Sequence, residues 1–192
     1  MLNVLLLGPQ GAGKGTQGKL TSAEYGIPHI ATGDILRSAM AAGSELGRKV
    51  QPIYDAGGLV PDDTMIELIR ERLAADDAAE GFVLDGFPRT AVQAEALDEM
   101  LEEIGRPLRV VLEFQLPEEI SIERLTRRAA DEGRADDTPD AIRRRLGLYH
   151  EQTEPLIEHY RSRGNLVGIP ADKPVEAVFA DIQQALEQAA VR

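Results

Sequence analysis

The chain has 192 residues, of which 33 are acidic and 21 are basic, so its formal net charge is −12. This length predicts one domain with a packed core, and the acidic balance argues against a nucleic-acid or membrane-surface binder, because both partners are polyanions. Cysteine is absent, which excludes disulfides and thiolate metal sites and permits a reducing compartment.

Short apolar runs alternate along the chain with longer amphipathic segments. The apolar runs predict strands at Leu2–Leu7, His29–Ala31, Phe82–Asp85, Val110–Gln115 and Leu166–Ile169. The amphipathic segments predict helices at Gly13–Tyr25, Ile35–Ala42, Glu45–Ala56, Asp62–Ala75, Ala91–Ile104, Glu118–Arg128, Asp140–Arg163 and Val175–Ala189. Prolines mark four of the predicted helix starts: Pro61, Pro117, Pro139 and Pro174. This alternation indicates an α/β fold whose five-stranded parallel sheet is covered on both faces.

The first apolar run ends at Leu7 and has no basic segment before it. It is too short for a signal peptide or a membrane span, and no later stretch approaches the spanning length. We therefore expect a cytoplasmic protein that does not enter the membrane.

The first predicted strand leads directly into a glycine-rich loop. Gly8, Gly13 and Lys14 have the G-x-x-x-x-G-K spacing of a phosphate-binding loop, although Gly15 stands between Lys14 and Thr16. Glycines allow successive backbone N–H groups to surround phosphate oxygens, and the following helix directs its positive end at the same anion. The loop predicts mononucleotide binding but does not indicate which reaction the nucleotide undergoes. The residues expected at the phosphates are Gly11, Ala12, Gly13, Lys14, Gly15 and Thr16.

Further motifs follow in a fixed order. They are Thr32-Gly33-Asp34-Ile35-Leu36-Arg37, Asp55-Ala56-Gly57-Gly58-Leu59-Val60, Asp85-Gly86-Phe87-Pro88-Arg89-Thr90 with Gln93, and Arg134-Ala135-Asp136-Asp137. Together with the loop, they resemble the nucleoside monophosphate kinases, and within them the adenylate kinases most closely. The resemblance implies reversible transfer of the γ-phosphoryl group of Mg-ATP to AMP, which gives two ADP and maintains the adenine nucleotide balance.

The same resemblance implies an organisation and an oligomeric state. The expected fold is a P-loop three-layer α/β/α core formed by residues 1–30, 61–127 and 138–192. Residues 31–60 would form a small helical insertion that binds the monophosphate, and residues 128–137 would form a short lid. The expected protein is a monomer whose partners are ATP, AMP and ADP.

The resemblance also implies an acceptor site for AMP. Its expected members are Thr32, Arg37, Gly58, Leu59, Val60, Gly86, Phe87, Pro88, Arg89 and Gln93. Asp85 ends a buried strand, where an unpaired carboxylate is costly, so it is expected either to hold magnesium through water or to cap a helix. Gln93 can both donate and accept, as the edge of adenine requires.

Arginine makes up 17 of the 21 basic residues, and seven of the 17 lie between Arg124 and Arg145. Because arginine binds phosphate bidentately, this cluster favours a phosphate site, although pairing with nearby acids at the surface is the alternative for each member. We expect surface pairing alone for Arg127, Arg143 and Arg144. By resemblance, Arg124 and Arg128 bind ATP phosphates, whereas Arg134 and Arg145 bind AMP and the transferred group. Asp136 and Asp137 resemble the lid hinge, and Lys173 resembles the residue beside the ATP adenine.

The short lid has a consequence for metals. Longer family members insert a small domain there, sometimes with zinc-binding cysteines, and this chain has neither that length nor a cysteine, so we expect no zinc. We expect the lid to close when nucleotide binds. The chemistry requires no covalent nucleophile, so the catalytic residues are expected to supply position and charge. They are Lys14, Arg89, Arg124, Arg128, Arg134 and Arg145.

Three alternatives differ from this hypothesis in testable features. A UMP/CMP kinase usually carries Ala in place of Thr32 and Asn in place of Thr90 and Gln93. A non-catalytic nucleotide sensor would keep the loop but would lose the arginines of the second phosphate site. A GTPase would need an N-K-x-D motif, which this sequence lacks.

Overall fold

The computed structural model describes residues 1–134 and 137–191. The strands are β1 (Leu2–Leu7), β2 (His29–Ala31), β3 (Gly81–Asp85), β4 (Val110–Gln115) and β5 (Leu166–Pro170). The helices are α1 (Lys14–Tyr25), α2 (Thr32–Ala41), α3 (Glu45–Asp55), α4 (Asp62–Leu73), α5 (Ala91–Glu103), α6 (Glu118–Glu132), α7 (Pro139–Leu148), α8 (Leu156–Ser162) and α9 (Val175–Val191). Within the described ranges, no helix is long and apolar enough to cross a membrane.

The five strands form one parallel sheet in the order β2-β3-β1-β4-β5. The predicted fold class is therefore confirmed. The chain builds β2 and β3 on one side of β1 and then crosses to build β4 and β5 on the other side. Such a reversal opens a crevice at the carboxyl ends of the strands, which is where open α/β sheets bind ligands.

Both faces of the sheet are covered, as continuous apolar strands require. On β1, Leu5 and Leu7 belong to a core shared with α4, α5 and α8, whereas Val4 and Leu6 belong to a second core shared with α9. All four side chains are at most 3% exposed. This two-sided burial holds β1 rigidly at the centre of the sheet, and with it the loop that follows β1.

The single helix expected over Asp140–Arg163 is wrong. Helix α7 ends at Leu148, wider π-type turns follow at Tyr149–Thr153, and α8 begins at Leu156. Pro155 explains the break, because proline has no N–H to donate and its ring displaces the preceding turn. The four prolines that mark predicted helix starts behave as expected: α7 begins at Pro139, and α4, α6 and α9 begin one residue after a proline.

The two segments that interrupt the sheet take different forms. Helices α2 and α3 pack together between β2 and β3. Helix α6 continues to Glu132, beyond the predicted end at Arg128, so the first part of the expected lid is helical. Gly133 ends the helix with a positive φ of 62°, a conformation that glycine adopts without strain.

Two helical glycines, one at the contact between α2 and α3 and one away from it, provide a matched test of how closely α2 and α3 pack. A Cβ at Gly47 in α3 would overlap the backbone of Ala39 in α2, whereas a Cβ at Gly147 in α7 would meet no heavy atom within 4 Å. We expect Gly47→Ala to lower the free energy of unfolding by about 1–3 kcal/mol through this overlap. Gly147→Ala should raise it by about 0.5–1 kcal/mol through the lower backbone entropy of the unfolded chain. Urea denaturation measures both changes, and a Gly47→Ala variant of unchanged stability would contradict the close approach of α2 and α3.

Candidate functional site

A cleft of about 800 Å³ opens at the carboxyl ends of the strands. Its walls come from the loop after β1, the segment after β3, helix α6 and the loop after β5. A volume of this size lies within the range of small-molecule sites. The strand ends therefore bring together segments that are far apart in the sequence.

The loop after β1 curls over the start of α1. Gly8, Gly11 and Gly13 all have positive φ values, of 142°, 81° and 85°, which side chains other than glycine rarely adopt. A Cβ at Gly8 would also lie 2.7 Å from the carbonyl oxygen of Phe114 on β4. The predicted phosphate loop is therefore folded as its glycines require, and it leads directly into the N-terminus of α1.

Lys14 lies over this loop. Its Nζ donates to the carbonyl oxygens of Gly8 at 2.7 Å and Pro9 at 2.8 Å. Desolvation by burial lowers the pKa of Lys14 to about 8; Asp85 opposes this shift, and Arg89 and other arginines add to it. The ammonium group is thus held in the cleft at a cost that a bound anion would relieve.

Asp85 stands at the end of β3 beside Lys14. Burial opposes ionisation of its carboxyl group, but the His29 imidazole and the Lys14 charge more than compensate, so the pKa of Asp85 lies below its ordinary value. His29 Nε2 is 3.6 Å from Asp85 Oδ2, and its side chain is only 8% exposed. A Cβ on Gly15 would lie 3.8 Å from the same oxygen, so the carboxylate faces the start of α1. Asp85 is not an N-cap, because α5 is capped by the Thr90 side chain.

Arg124 and Lys173 line the side of the cleft near β5. Arg124 Nη1 donates to the carbonyl oxygen of Ala171 at 3.0 Å and lies 3.4 Å from that of Gly11. This contact joins α6 to the phosphate loop and to the segment after β5. Lys173 lines the cleft, and its ammonium group pairs with Asp181 of α9 at 2.7 Å.

The carboxylate of Asp137 lies beside three arginines. Arg128 donates to it through Nε at 2.6 Å and Nη2 at 2.8 Å, and Arg145 donates through Nη1 at 2.8 Å. Arg134 Nε lies 3.7 Å from the same group. The Asp137 side chain is fully buried, and these arginines supply positive charge around it. The structure thus brings together three of the predicted phosphate-binding arginines, whereas the expected hinge residue Asp136 lies outside the described residues.

The far wall of the cleft carries Arg37 and Arg89. Arg37 donates to the Tyr54 hydroxyl at 2.5 Å and pairs with Asp34 one helical turn away. Arg134 also approaches the Tyr54 hydroxyl, at 3.5 Å. Arg89 Nε donates to the carbonyl oxygen of Gly86 at 2.8 Å, which turns its guanidinium into the cleft. Arginines from α2, from the end of α6 and from the segment after β3 therefore face a common space.

A smaller, mostly apolar cavity lies behind these arginines. It is lined by Thr32, Leu36, Tyr54, Gly58, Leu59, Val60, Met65, Gly86, Arg89 and Gln93. The Gln93 amide is 2% exposed, and its oxygen accepts from the backbone N–H of Arg89 at 2.8 Å. Pro88 lines the large cleft, whereas the Phe87 side chain is buried in the core, so Phe87 can offer only its backbone to a ligand.

Two arginines that we expected to pair at the surface do so. Arg127 contacts Glu123 at 2.8 Å and Arg143 contacts Asp140 at 2.5 Å, and all four side chains are exposed. Sequence reasoning missed three residues that support the site: His29 beside Asp85, Tyr54 between two arginines, and Asp62, which accepts from Gln93. No sequence motif identifies these three residues, because each contacts a residue that is distant in the chain.

The comparisons with known proteins agree with this geometry. A family model described as adenylate kinase matches residues 6–165. The chain is 48% identical over 189 residues to the adenylate kinase of Thermobifida fusca, covering 98% of this chain and 100% of that protein. It is 47% identical to the adenylate kinase of a Cyanothece species over 98% of this chain and 96% of that protein. It is 41% identical to that of Archaeoglobus fulgidus over 97% of this chain and 99% of that protein, in an alignment of 214 positions that includes residues this chain lacks.

The lowered pKa of Lys14 predicts proton uptake when ATP binds. A bound polyphosphate favours the charged ammonium and raises its pKa, so at about pH 8.5 the complex holds a proton that much of the free protein has lost. Affinity should therefore fall as the pH rises through this range. Calorimetry in buffers of different ionisation enthalpy measures the uptake. Lys14→Arg is the control, since a guanidinium stays charged; equal uptake in this variant would assign the proton to another group.

Proposed function

Since the chain belongs to the adenylate kinase family, it is a phosphotransferase acting on ATP and AMP, and we propose that the residues of the cleft share this work as follows. ATP binds along the phosphate loop, and AMP binds in the smaller cavity with its phosphate toward the arginines. The observation that carries this proposal is that the two cavities meet at Arg89, which lines both. The nucleotide phosphates can therefore face one another across a set of cations.

The donor side is formed by the loop and the residues over it. The backbone N–H groups of Gly11 to Thr16 and the Lys14 ammonium bind the phosphates of ATP, and Arg124 and Arg128 extend this charge toward the γ-phosphoryl group. The segment of Lys173 lies against the adenine. Support comes from the anchoring of Arg124 between Gly11 and Ala171, which fixes it beside the loop.

The acceptor side is formed by the insertion and the segment after β3. Arg37 and Arg89 bind the phosphate of AMP, and Thr32, the backbone of Gly58, Leu59 and Val60, and Gln93 surround its base. Gly86, Phe87 and Pro88 contribute backbone. Arg134 and Arg145 neutralise the group in transfer, so that an AMP oxygen attacks the γ-phosphorus of ATP in line and ADP leaves. Nothing in this step needs a protein nucleophile.

Magnesium is the cofactor that we propose for the donor site. Among the described residues, no three His, Cys, Asp or Glu side chains form a protein-only metal site. Mg²⁺ commonly uses one carboxylate, substrate phosphates and water, and the ionised Asp85 facing the start of α1 fits that role. When bound, the ion would neutralise charge on the phosphate oxygens. Asp85 would hold it through water, and His29 would support the carboxylate.

Residues 128–137 are proposed to act as a short lid that closes over both nucleotides and excludes water. Phosphates would then compete with Asp137 for the lid arginines. We also propose that the protein is cytoplasmic. We further propose that it acts as a monomer, because residues of one chain line both cavities.

Phosphoryl transfer from ATP to AMP, UMP, CMP and GMP tests the function. We expect the highest kcat/KM with AMP, and no transfer to AMP would contradict the proposal. Arg89→Ala should lower kcat/KM for AMP about a thousandfold, because one preorganised charge is lost from the transition state. Arg70→Ala is the matched control, since Arg70 pairs with Glu103 in an exposed position away from the cleft. A retained rate in Arg89→Ala would remove that residue from its role.

Hydrogen exchange tests the lid. A non-hydrolysable compound that joins ATP to AMP should slow amide exchange over α6 and α7, because its phosphates hold the arginines of both helices. The same compound should leave exchange in β1 unchanged, since that strand is already buried on both faces. Equal exchange over α6 and α7 with and without the compound would contradict closure.

A further inference from the structure

Asp62, the first residue of α4, accepts two hydrogen bonds from outside its own helix. Gln93 Nε2 donates to Asp62 Oδ1 at 2.8 Å, and Thr90 Oγ1 donates to the same oxygen at 3.0 Å. Its neighbour Asp63 accepts locally, from the backbone N–H of Thr64 at 2.6 Å. Two acids in one helical turn therefore have different roles, and Asp62 is the one that reaches the smaller cavity through Gln93.

The contacts of Gln93 assign the two ends of its amide. A carboxylate can only accept, so the end that meets Asp62 is the NH₂ group. A backbone N–H can only donate, so the end that meets Arg89 at 2.8 Å is the oxygen. Each end keeps one further hydrogen-bonding position: a second N–H on the nitrogen and a second lone pair on the oxygen. Because Gln93 is 2% exposed and lines the smaller cavity, these positions are available to a base bound there.

This orientation matches adenine. Adenine presents an acceptor, N1, beside a donor, its exocyclic amino group, and the fixed amide offers a donor beside an acceptor. A 6-oxopurine presents the reverse, an N1–H donor beside an O6 acceptor, and would need the amide to flip. We propose that Asp62 is a positioning residue that holds the Gln93 amide in the adenine-reading orientation and so selects AMP over 6-oxopurine monophosphates. This inference rests on the proposed function, in which the smaller cavity binds the acceptor base.

The hydrogen bond between Gln93 and the Asp62 carboxylate is strong for two chemical reasons. A hydrogen bond to a carboxylate is stronger than one between neutral groups, and its loss leaves a buried N–H unpaired. Without Asp62, the Arg89 N–H is the one contact given by the described residues that favours the adenine-reading orientation, and the flipped amide becomes accessible. The loss should therefore reduce discrimination between bases, and should do so more than it reduces activity in general.

The test compares kcat/KM for AMP and for inosine 5′-monophosphate, with ATP as donor, in four forms of the full chain. We expect Asp62→Ala to lower the AMP-to-IMP ratio about tenfold relative to the unsubstituted protein. Asp62→Asn should keep most of the ratio, because its amide oxygen can still accept from Gln93. Asp63→Ala, the matched control in the same helical turn, should leave the ratio unchanged.

The outcomes separate this inference from the function on which it rests. Equal losses with AMP and IMP in Asp62→Ala, or an unchanged ratio, would overturn the role of Asp62 and leave the kinase activity standing. Absence of transfer to AMP in the unsubstituted protein would instead overturn the proposed function. If Asp62→Ala does not fold, Asp62→Ser replaces it, since serine suits a helix start but its hydroxyl is too short to reach Gln93, and the same ratio decides.

Discussion

The concentration of positive charge in one cleft is the constraint on which the rest of the structure depends. Like charges held close together in a partly desolvated space repel one another strongly, so each cation needs an acceptor from the protein. Arg128 and Arg145 share the Asp137 carboxylate, and Lys14 lies on the carbonyl oxygens of its own loop. These acceptors keep the cations in place, and the proposed function has nucleotide phosphates replace them.

These contacts also link separate helices to one another. Asp137 joins Arg128 on α6 to Arg145 on α7, and the Tyr54 hydroxyl joins Arg37 of the insertion to Arg134 at the end of α6. The phosphate loop stays fixed, because β1 is buried on both faces of the sheet. Donors that are oriented before the reaction need little reorganisation during it, which is the condition for electrostatic catalysis. The arginines of these segments therefore face one cleft beside a fixed phosphate loop.

The sequence predicts the features that are encoded locally. Strand periodicity, the glycine loop and the prolines at helix starts each depend on a few neighbouring residues, and the sheet and phosphate loop follow from them. The sequence predictions fail where a contact between distant residues or a local break in a helix determines the structure. A helical pattern over Asp140–Arg163 concealed the break at Pro155, and nothing near Tyr54 in the chain indicates that its hydroxyl lies between two arginines. The expected roles of the site residues are proposals that depend on ligands, and the sequence carries them only through resemblance.

In the proposed function, the residues that supply binding affinity differ from the residues that select the base. In the proposed function, arginine and lysine contacts act on phosphates, which every nucleotide carries, so they would bind strongly but could not distinguish one base from another. Discrimination would then come from the small cavity, where neutral hydrogen bonds would face the base and where an error in orientation reverses donor and acceptor. A recognisable motif supplies Gln93, but the orientation of its amide depends on a carboxylate 31 residues earlier in the chain. Base selectivity should therefore change through residues outside the motifs, while the phosphate chemistry that identifies the family stays constant.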